Sequence, residues 1–171
     1  MTTIIIEGPD LSGKTYAIEK IAKHFNSGFV LKNSFKPKSL LDTNKIFAQY
    51  WNILSIIDGQ KGLIILDRFY PSQAVYSYLR GEDDFDRVDI QALETICSER
   101  GILYVYLDTP RYELENRYDK RGDEHIKKGQ LRELKERYDE FYELSILKKI
   151  KVNTMDEGWL IKLEGWLNEH K

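Results

Sequence analysis

Short apolar runs recur along this chain, each followed by a stretch with helical spacing, and that alternation leaves few folds open. "TTIII" (Thr2–Ile6), "GFVLKN" (Gly28–Asn33), "GLIILD" (Gly62–Asp67) and "GILYVYLD" (Gly101–Asp108) are strand-sized, and "KKIKVN" after residue 147 is a short fifth. "GLIILD" is apolar at successive rather than alternate positions, the pattern of a strand covered on both faces. Helices are expected over Lys14–Phe25, Ser39–Asp58, Pro71–Leu79, Ile90–Arg100, from Pro110 onward and over Leu131–Leu147, with a last one carrying Trp159 and Trp166. Strands that alternate with helices lie parallel and are joined by right-handed crossovers, so the expectation is a three-layer α/β/α domain. At 171 residues, with no repeat and no dividing linker, it is one domain spanning 1–171.

The net charge of −2 supplies no broad positive field, so neither a nucleic acid nor a membrane surface is an expected partner. No run approaches the roughly 20 apolar residues of a membrane span. The one cysteine, Cys97, reads as a small buried filler, because no histidine or basic cluster flanks it. The chain carries no basic leader ahead of its first strand, which sets the expectation of a cytoplasmic protein. Any phosphate binding must then come from a local site.

"IIIEGPDLSGKT" supplies one. Gly8 to Thr15 fits G-x-x-x-x-G-K followed by Ser or Thr, set between an expected strand and an expected helix, as the mechanism requires. Glycines let successive N–H groups turn into one hollow that holds phosphate oxygens, and the helix beginning at Lys14 adds its positive end. Gly8, Leu11, Ser12 and Gly13 form the cradle, Lys14 reaches the β- and γ-phosphates, and the Thr15 hydroxyl can hold Mg²⁺. Asp67, at the end of a buried strand, is the second expected Mg²⁺ ligand. ATP and Mg²⁺ are thus the expected cofactors.

Three features bear on the phosphoryl acceptor. Arg68 adjoins Asp67, and its guanidinium suits either an acceptor phosphate or a structural ion pair. Asp10 is an acid inside a phosphate loop, where it either binds an acceptor hydroxyl or caps its own backbone. Arg117 and Arg121 lie four residues apart, on one helical face, in a basic stretch that can close over ATP. Lys127 and Lys128, like His24 and His125, read as solvated surface.

These residues resemble the thymidylate kinase family, of the P-loop nucleoside and nucleotide kinases. "EGPDLSGKT" is similar to its EGxDGxGKS/T loop, and "DRFYPSQAVYS" to its DRY-x-x-S-x-x-A-Y segment, with Phe69 for the tyrosine and Val75 for the alanine. "YLDTP", then Arg117 and Arg121-Gly122, resembles the fourth strand and LID, here around 117–129. The resemblance implies a five-stranded parallel sheet of nucleoside-monophosphate-kinase type and, often, a homodimer. It further implies that Asp10 holds the acceptor's 3′-hydroxyl and Arg68 its 5′-phosphate. By the same resemblance Tyr76 crowds the sugar's 2′ position, while Ser72 and Gln73 belong to the acceptor segment, Gln73 facing the base.

Departures are specific. The family's Arg-Glu-Pro-Gly-Gly-Thr-like loop is "SFKPKS" here, with Lys36 and Lys38 as stand-ins. Phe47 can supply the base-stacking ring, but Trp51 stands where the family has an arginine, and no arginine occurs between Lys14 and Arg68. Leu11 fills the region of a loop arginine, which shifts the transition-state cation to Arg117 or Arg121. Asn153 and Thr154, after the last strand, are candidates to touch adenine. The leading expectation is phosphoryl transfer from ATP to a deoxynucleoside monophosphate, dTMP or a modified pyrimidine first. A kinase acting on a nucleoside or modified-base hydroxyl is the second expectation, and a non-catalytic nucleotide-binding module the third.

Overall fold

The computed structural model describes residues 2–27, 29–32, 43–81, 87–124 and 126–170. Five strands, β1 (Thr2–Glu7), β2 (Phe29–Lys32), β3 (Leu63–Asp67), β4 (Leu103–Leu107) and β5 (Lys149–Val152), form one all-parallel sheet in the order β2-β3-β1-β4-β5. Helices α1 (Lys14–His24), α2 (Thr43–Ile57), α3 (Tyr70–Leu79), α4 (Arg87–Glu99), α5 (Arg111–Arg121), α6 (Leu131–Leu144) and α7 (Trp159–Glu169) cover it, with one 3-10 turn at Lys128–Gln130. The three-layer α/β/α architecture with five parallel strands is therefore the one expected.

Because successive side chains of a strand point to opposite faces, β1 divides its residues between two cores. Ile4 and Ile6 pack with Ile18 and Ile21 of α1 and with Leu163 and Leu167 of α7. Ile5 faces the other way, toward Leu54 of α2, Leu93 of α4 and Tyr138 of α6. The same rule carries Glu7 into that second layer, where it is fully buried. In register, Asp67 pairs with Ile6 and Lys32, and Tyr106 with Glu7. The chain thus leaves β1, β3 and β4 at one edge of the sheet, the edge where open parallel sheets bind ligands.

Most expected boundaries moved by a residue or two. β1 runs one residue further, to Glu7, and α3 begins at Tyr70, with Pro71 in its first turn. The larger changes are in α4, which begins at Arg87 rather than Ile90, and in α6, which ends at Leu144 rather than near Leu147. Ser145 adopts an extended conformation and donates to Glu94 Oε1 at 2.6 Å. The Lys149 ammonium donates to the carbonyls of Tyr142, Glu143 and Ser145 at 2.6–2.8 Å, which satisfies acceptors that a helix end would orphan. Gly28, Asn33, the "SFKPKS" loop with Lys36 and Lys38, the first residues expected in α2 and His125 lie outside the described residues. Cys97 is buried in the core beside Leu93, and burial pushes its thiol up to about 12, as suits a filler.

Candidate active site

The loop from Gly8 to Gly13 joins the central strand to α1, and its glycines are required by space as well as by backbone angle. A Cβ on Gly8, at φ 153°, would lie 2.9 Å from Ser12 Oγ and 3.1 Å from the Leu107 carbonyl oxygen. One on Gly13, at φ 86°, would lie 3.2 Å from the Arg117 guanidinium and 3.5 Å from Thr154 Oγ1. The loop is therefore packed against the ends of β4 and β5 and against α5. The Thr109 hydroxyl donates to the Ser12 carbonyl at 3.0 Å and holds the loop from the β4 side. Leu11 stands at φ 68° with its side chain buried, so the turn is made by a residue that pays steric cost there.

Lys14 folds back over this loop and donates to the carbonyls of Gly8 and Pro9, both at 2.7 Å. Burial, assisted by the Arg68 guanidinium, pushes its ammonium down to about 7, against the pull of Asp10, Glu7 and Asp67. An ammonium so poorly compensated is primed for an added anion. Thr15 is exposed at the head of α1, and Asp67, at the end of β3, is close enough for its charge to act on Lys14. One hydroxyl and one carboxylate beside a phosphate cradle suit Mg²⁺, which is held by one or two protein oxygens plus substrate phosphates rather than by a cage. Among the described residues no group of three or more His, Cys, Asp or Glu forms such a cage.

On the far side of the loop, Asp10, Arg68, Ser72 and Tyr76 meet in one cluster. Arg68 Nη2 donates to Asp10 Oδ1 at 2.5 Å, and Tyr76 donates to Asp10 Oδ2 at 2.5 Å. Arg68 Nη1 donates to Ser72 Oγ at 2.9 Å and to the Tyr138 hydroxyl at 3.0 Å. Burial first, then the nearby Tyr138 and Asp10, raise the Tyr76 phenol well above its ordinary range, so it stays a neutral donor. Arg68 has φ 67°, a left-handed conformation that costs a non-glycine residue about 1–3 kcal/mol. That geometry turns the chain between β3 and α3 and aims the guanidinium back across the loop.

Of the remaining expected residues, Arg117 is brought in and Arg121 is not. Arg117 donates to Glu113 at 2.7 Å and to the Leu11 carbonyl at 2.9 Å, whereas Arg121 is exposed at the end of α5. Lys128 pairs with Asp119, and His24 with Glu164, both at the surface. Phe47 is part-buried, edge-on to Tyr50, while Trp51 is exposed. Gln73 is buried and donates to Ser77 Oγ at 3.2 Å. Asn153 is engaged in its own turn with Asp156 and the Met155 N–H, and it is Thr154 that lies against Gly13.

Residue-by-residue reading missed Glu7, Tyr138, Thr109 and Glu113. The one visible signal was Glu7, an acid closing an otherwise uncharged strand. Tyr138 sits on the buried stripe of an amphipathic helix, where a tyrosine looks like any core aromatic.

No family model and no curated protein sequence matches this chain. Solved structures do. The YorR protein of Bacillus subtilis, in complex with phosphorylated GDP, aligns with a TM-score of 0.77 at 22% identity over 99% of both chains. The deoxyadenosine kinase of M. mycoides, with products dCMP and dCDP bound, aligns at 0.62 and 18% identity over 98% of this chain and 100% of its own. A sugar kinase from Janibacter sp. aligns at 0.61 and 12% identity, over 98% and 95%. The chain shares its fold with these structures, and at these identities the likeness extends to the fold alone.

Proposed function

We propose that the chain is an ATP- and Mg²⁺-dependent kinase that transfers the γ-phosphoryl group to a deoxynucleoside monophosphate, dTMP or a related pyrimidine first. The observation that carries this reading is the meeting of a cradle with its lysine and an Arg68–Asp10–Tyr76 cluster around one loop. Lys14 would leave the Gly8 and Pro9 carbonyls for the β- and γ-phosphates and travel with the transferred group. Bound Mg²⁺, held by Thr15 and Asp67, would supply charge neutralisation between the phosphates. Asp10 would accept the sugar hydroxyl, and Arg68 would orient the acceptor phosphate. An acceptor oxygen then attacks the γ-phosphorus in line, its bond forms as the β–γ bridging bond breaks, and ADP leaves with that electron pair. Arg117, already over the loop and fixed by Glu113, is the cation best set to meet the developing charge, with residues 117–129 acting as the LID.

A second reading has its own observation. Arg68 is already bonded to Asp10, Ser72 and Tyr138, so a neutral acceptor hydroxyl would ask less of it than a phosphate. That makes a deoxynucleoside the acceptor, with Asp10 or Asp67 as general base. The deoxyadenosine kinase neighbour is consistent with it by name. A panel of deoxynucleosides and their monophosphates, each with labelled ATP, separates the two. Preference for monophosphates, abolished selectively in Arg68→Ala, supports the first, preference for nucleosides the second, and no transfer to any deoxynucleotide or deoxynucleoside overturns both.

A further inference from the structure

Glu7 is an acid with no exposure to solvent, at the end of the strand that leads into the phosphate loop. Three donors converge on it. The Phe69 N–H reaches Oε1 at 2.6 Å and the Ser72 N–H reaches it at 3.4 Å, while the Ser72 hydroxyl reaches Oε2 at 2.5 Å. The first two are orphan donors at the start of α3, a helix whose own preceding residue, Phe69, offers no side-chain cap. A strand residue 62 positions away in sequence does that work instead. Burial raises the Glu7 carboxyl above its ordinary range, while the Arg68 guanidinium and these donors favour its ionised form, which also suits the positive end of the helix.

The third bond sets direction. A serine hydroxyl has one proton and two lone pairs. When Ser72 donates to Glu7, its lone pairs are left to accept from Arg68 Nη1 at 2.9 Å and from the Tyr138 hydroxyl at 2.8 Å. Tyr138, having donated to Ser72, keeps its own lone pairs for the same Arg68 nitrogen at 3.0 Å. Both acceptors that hold the guanidinium in place are thus oriented from below by one buried acid. The far Arg68 nitrogen is then presented to Asp10.

We propose that Glu7 is a positioning residue of the acceptor site, which fixes Arg68 through Ser72 and Tyr138 without touching substrate. The inference rests on the reading of Arg68 as an acceptor-binding residue. The hydrogen bonds of Glu7 separate it from the phosphate loop it adjoins: they run to Phe69 and Ser72, and Glu7 reaches Lys14 through charge alone, so its loss should weigh more on the acceptor side than on the ATP side. Glu7→Gln keeps the shape and one carbonyl acceptor but replaces the other oxygen with a donor, which cannot receive the Ser72 proton. Ser72→Ala removes the same link from the other end with little change of volume.

The experiment has two arms. In kinetics, both variants are expected to lose about 10- to 100-fold in kcat/KM for the acceptor, the size expected for hydrogen bonds to a charged group, with KM for ATP within about twofold of wild type. In the second arm, which needs no turnover, the Arg68 Nε–H resonance of ¹⁵N-labelled protein, assigned by its disappearance in Arg68→Lys, should move or broaden in both variants. Unchanged acceptor kinetics together with an unmoved Arg68 signal overturn the inference and leave the kinase reading standing. A wild-type chain inactive on the whole acceptor panel removes the kinase reading, and the Arg68 signal still decides whether Glu7 holds the guanidinium. Equal losses for ATP and acceptor would also overturn it, since Glu7 would then support the fold of the loop generally.

Discussion

On one face of the sheet, Ile4, Ile6, Leu103 and Val105 meet α1 and α7 with aliphatic side chains and Trp159, and among the described residues no buried charge enters that layer. On the other, Ile5 and Leu66 share the interior with Glu7, Glu94, Ser72 and six tyrosines, Tyr50 and Tyr70 besides Tyr104, Tyr106, Tyr138 and Tyr142. The last four form a continuous contact series, with Tyr106 stacked on Tyr138 at a ring-centroid distance of 6.2 Å. The aliphatic layer satisfies itself by shape alone. The tyrosine layer must also satisfy hydroxyls and two carboxyl groups, one of which, Glu7, ties its packing to the orientation of Arg68. One face holds the sheet together, while the other also holds the Arg68 cluster in register.

The hardest test of that division lies between the faces, at Lys14. Lys14→Ala should lower kcat/KM by about 10³-fold or more, since it removes a charge that follows the transferred group. Its melting temperature should hold or rise, because burial disfavours the ammonium that is lost. The same depressed value gives a pH signature. With its ammonium pushed down to about 7, Lys14 should regain its proton when a triphosphate binds, so ATP binding should take up a proton above about pH 7 and weaken as pH rises. Calorimetry in buffers of different ionisation enthalpy would reveal that uptake, and a pH-independent affinity between 7 and 9 would contradict it.

Leu163→Ala should show the complementary pattern. Leu163 is fully buried in the aliphatic layer, so truncation should cost about 2–5 kcal/mol in urea unfolding with substrate KM values unchanged. Altered acceptor KM at intact fold would mean that the two faces are coupled. The smallest effect is expected at Tyr104, whose buried hydroxyl has no hydrogen-bond partner among the described residues. Tyr104→Phe should stabilise by about 1 kcal/mol, a rise of about 2–4 °C in Tm. A loss of stability instead would mean that the hydroxyl is satisfied through an ordered water.

How much of this was legible in the sequence follows the same division. The sheet, its helices and the phosphate loop were readable because each rests on local pattern: apolar runs of strand length, helical spacing, and glycines at fixed offsets around Lys14. Asp10 and Arg68 stood out by their places in the loop and beside the strand end, Ser72 and Tyr76 were reached through family resemblance, and the fold gathers all four into one cluster. The end of α6 was missed because a lysine five residues on, not a local stop signal, terminates it. Glu7 and Tyr138 were missed for a related reason. Their roles depend on partners more than 60 positions distant, and neither residue type announces such a partner.

The tyrosine series has a consequence for how the molecule can be watched. Four phenol rings locked in an asymmetric interior should give a strong near-ultraviolet circular dichroism signal, and Tyr138 is bonded directly to the guanidinium at the acceptor wall. Any movement of Arg68 as a nucleotide enters should register in that band. If Arg68 meets the acceptor as proposed, the chain carries its own optical gauge of that event, readable without label or coupled assay.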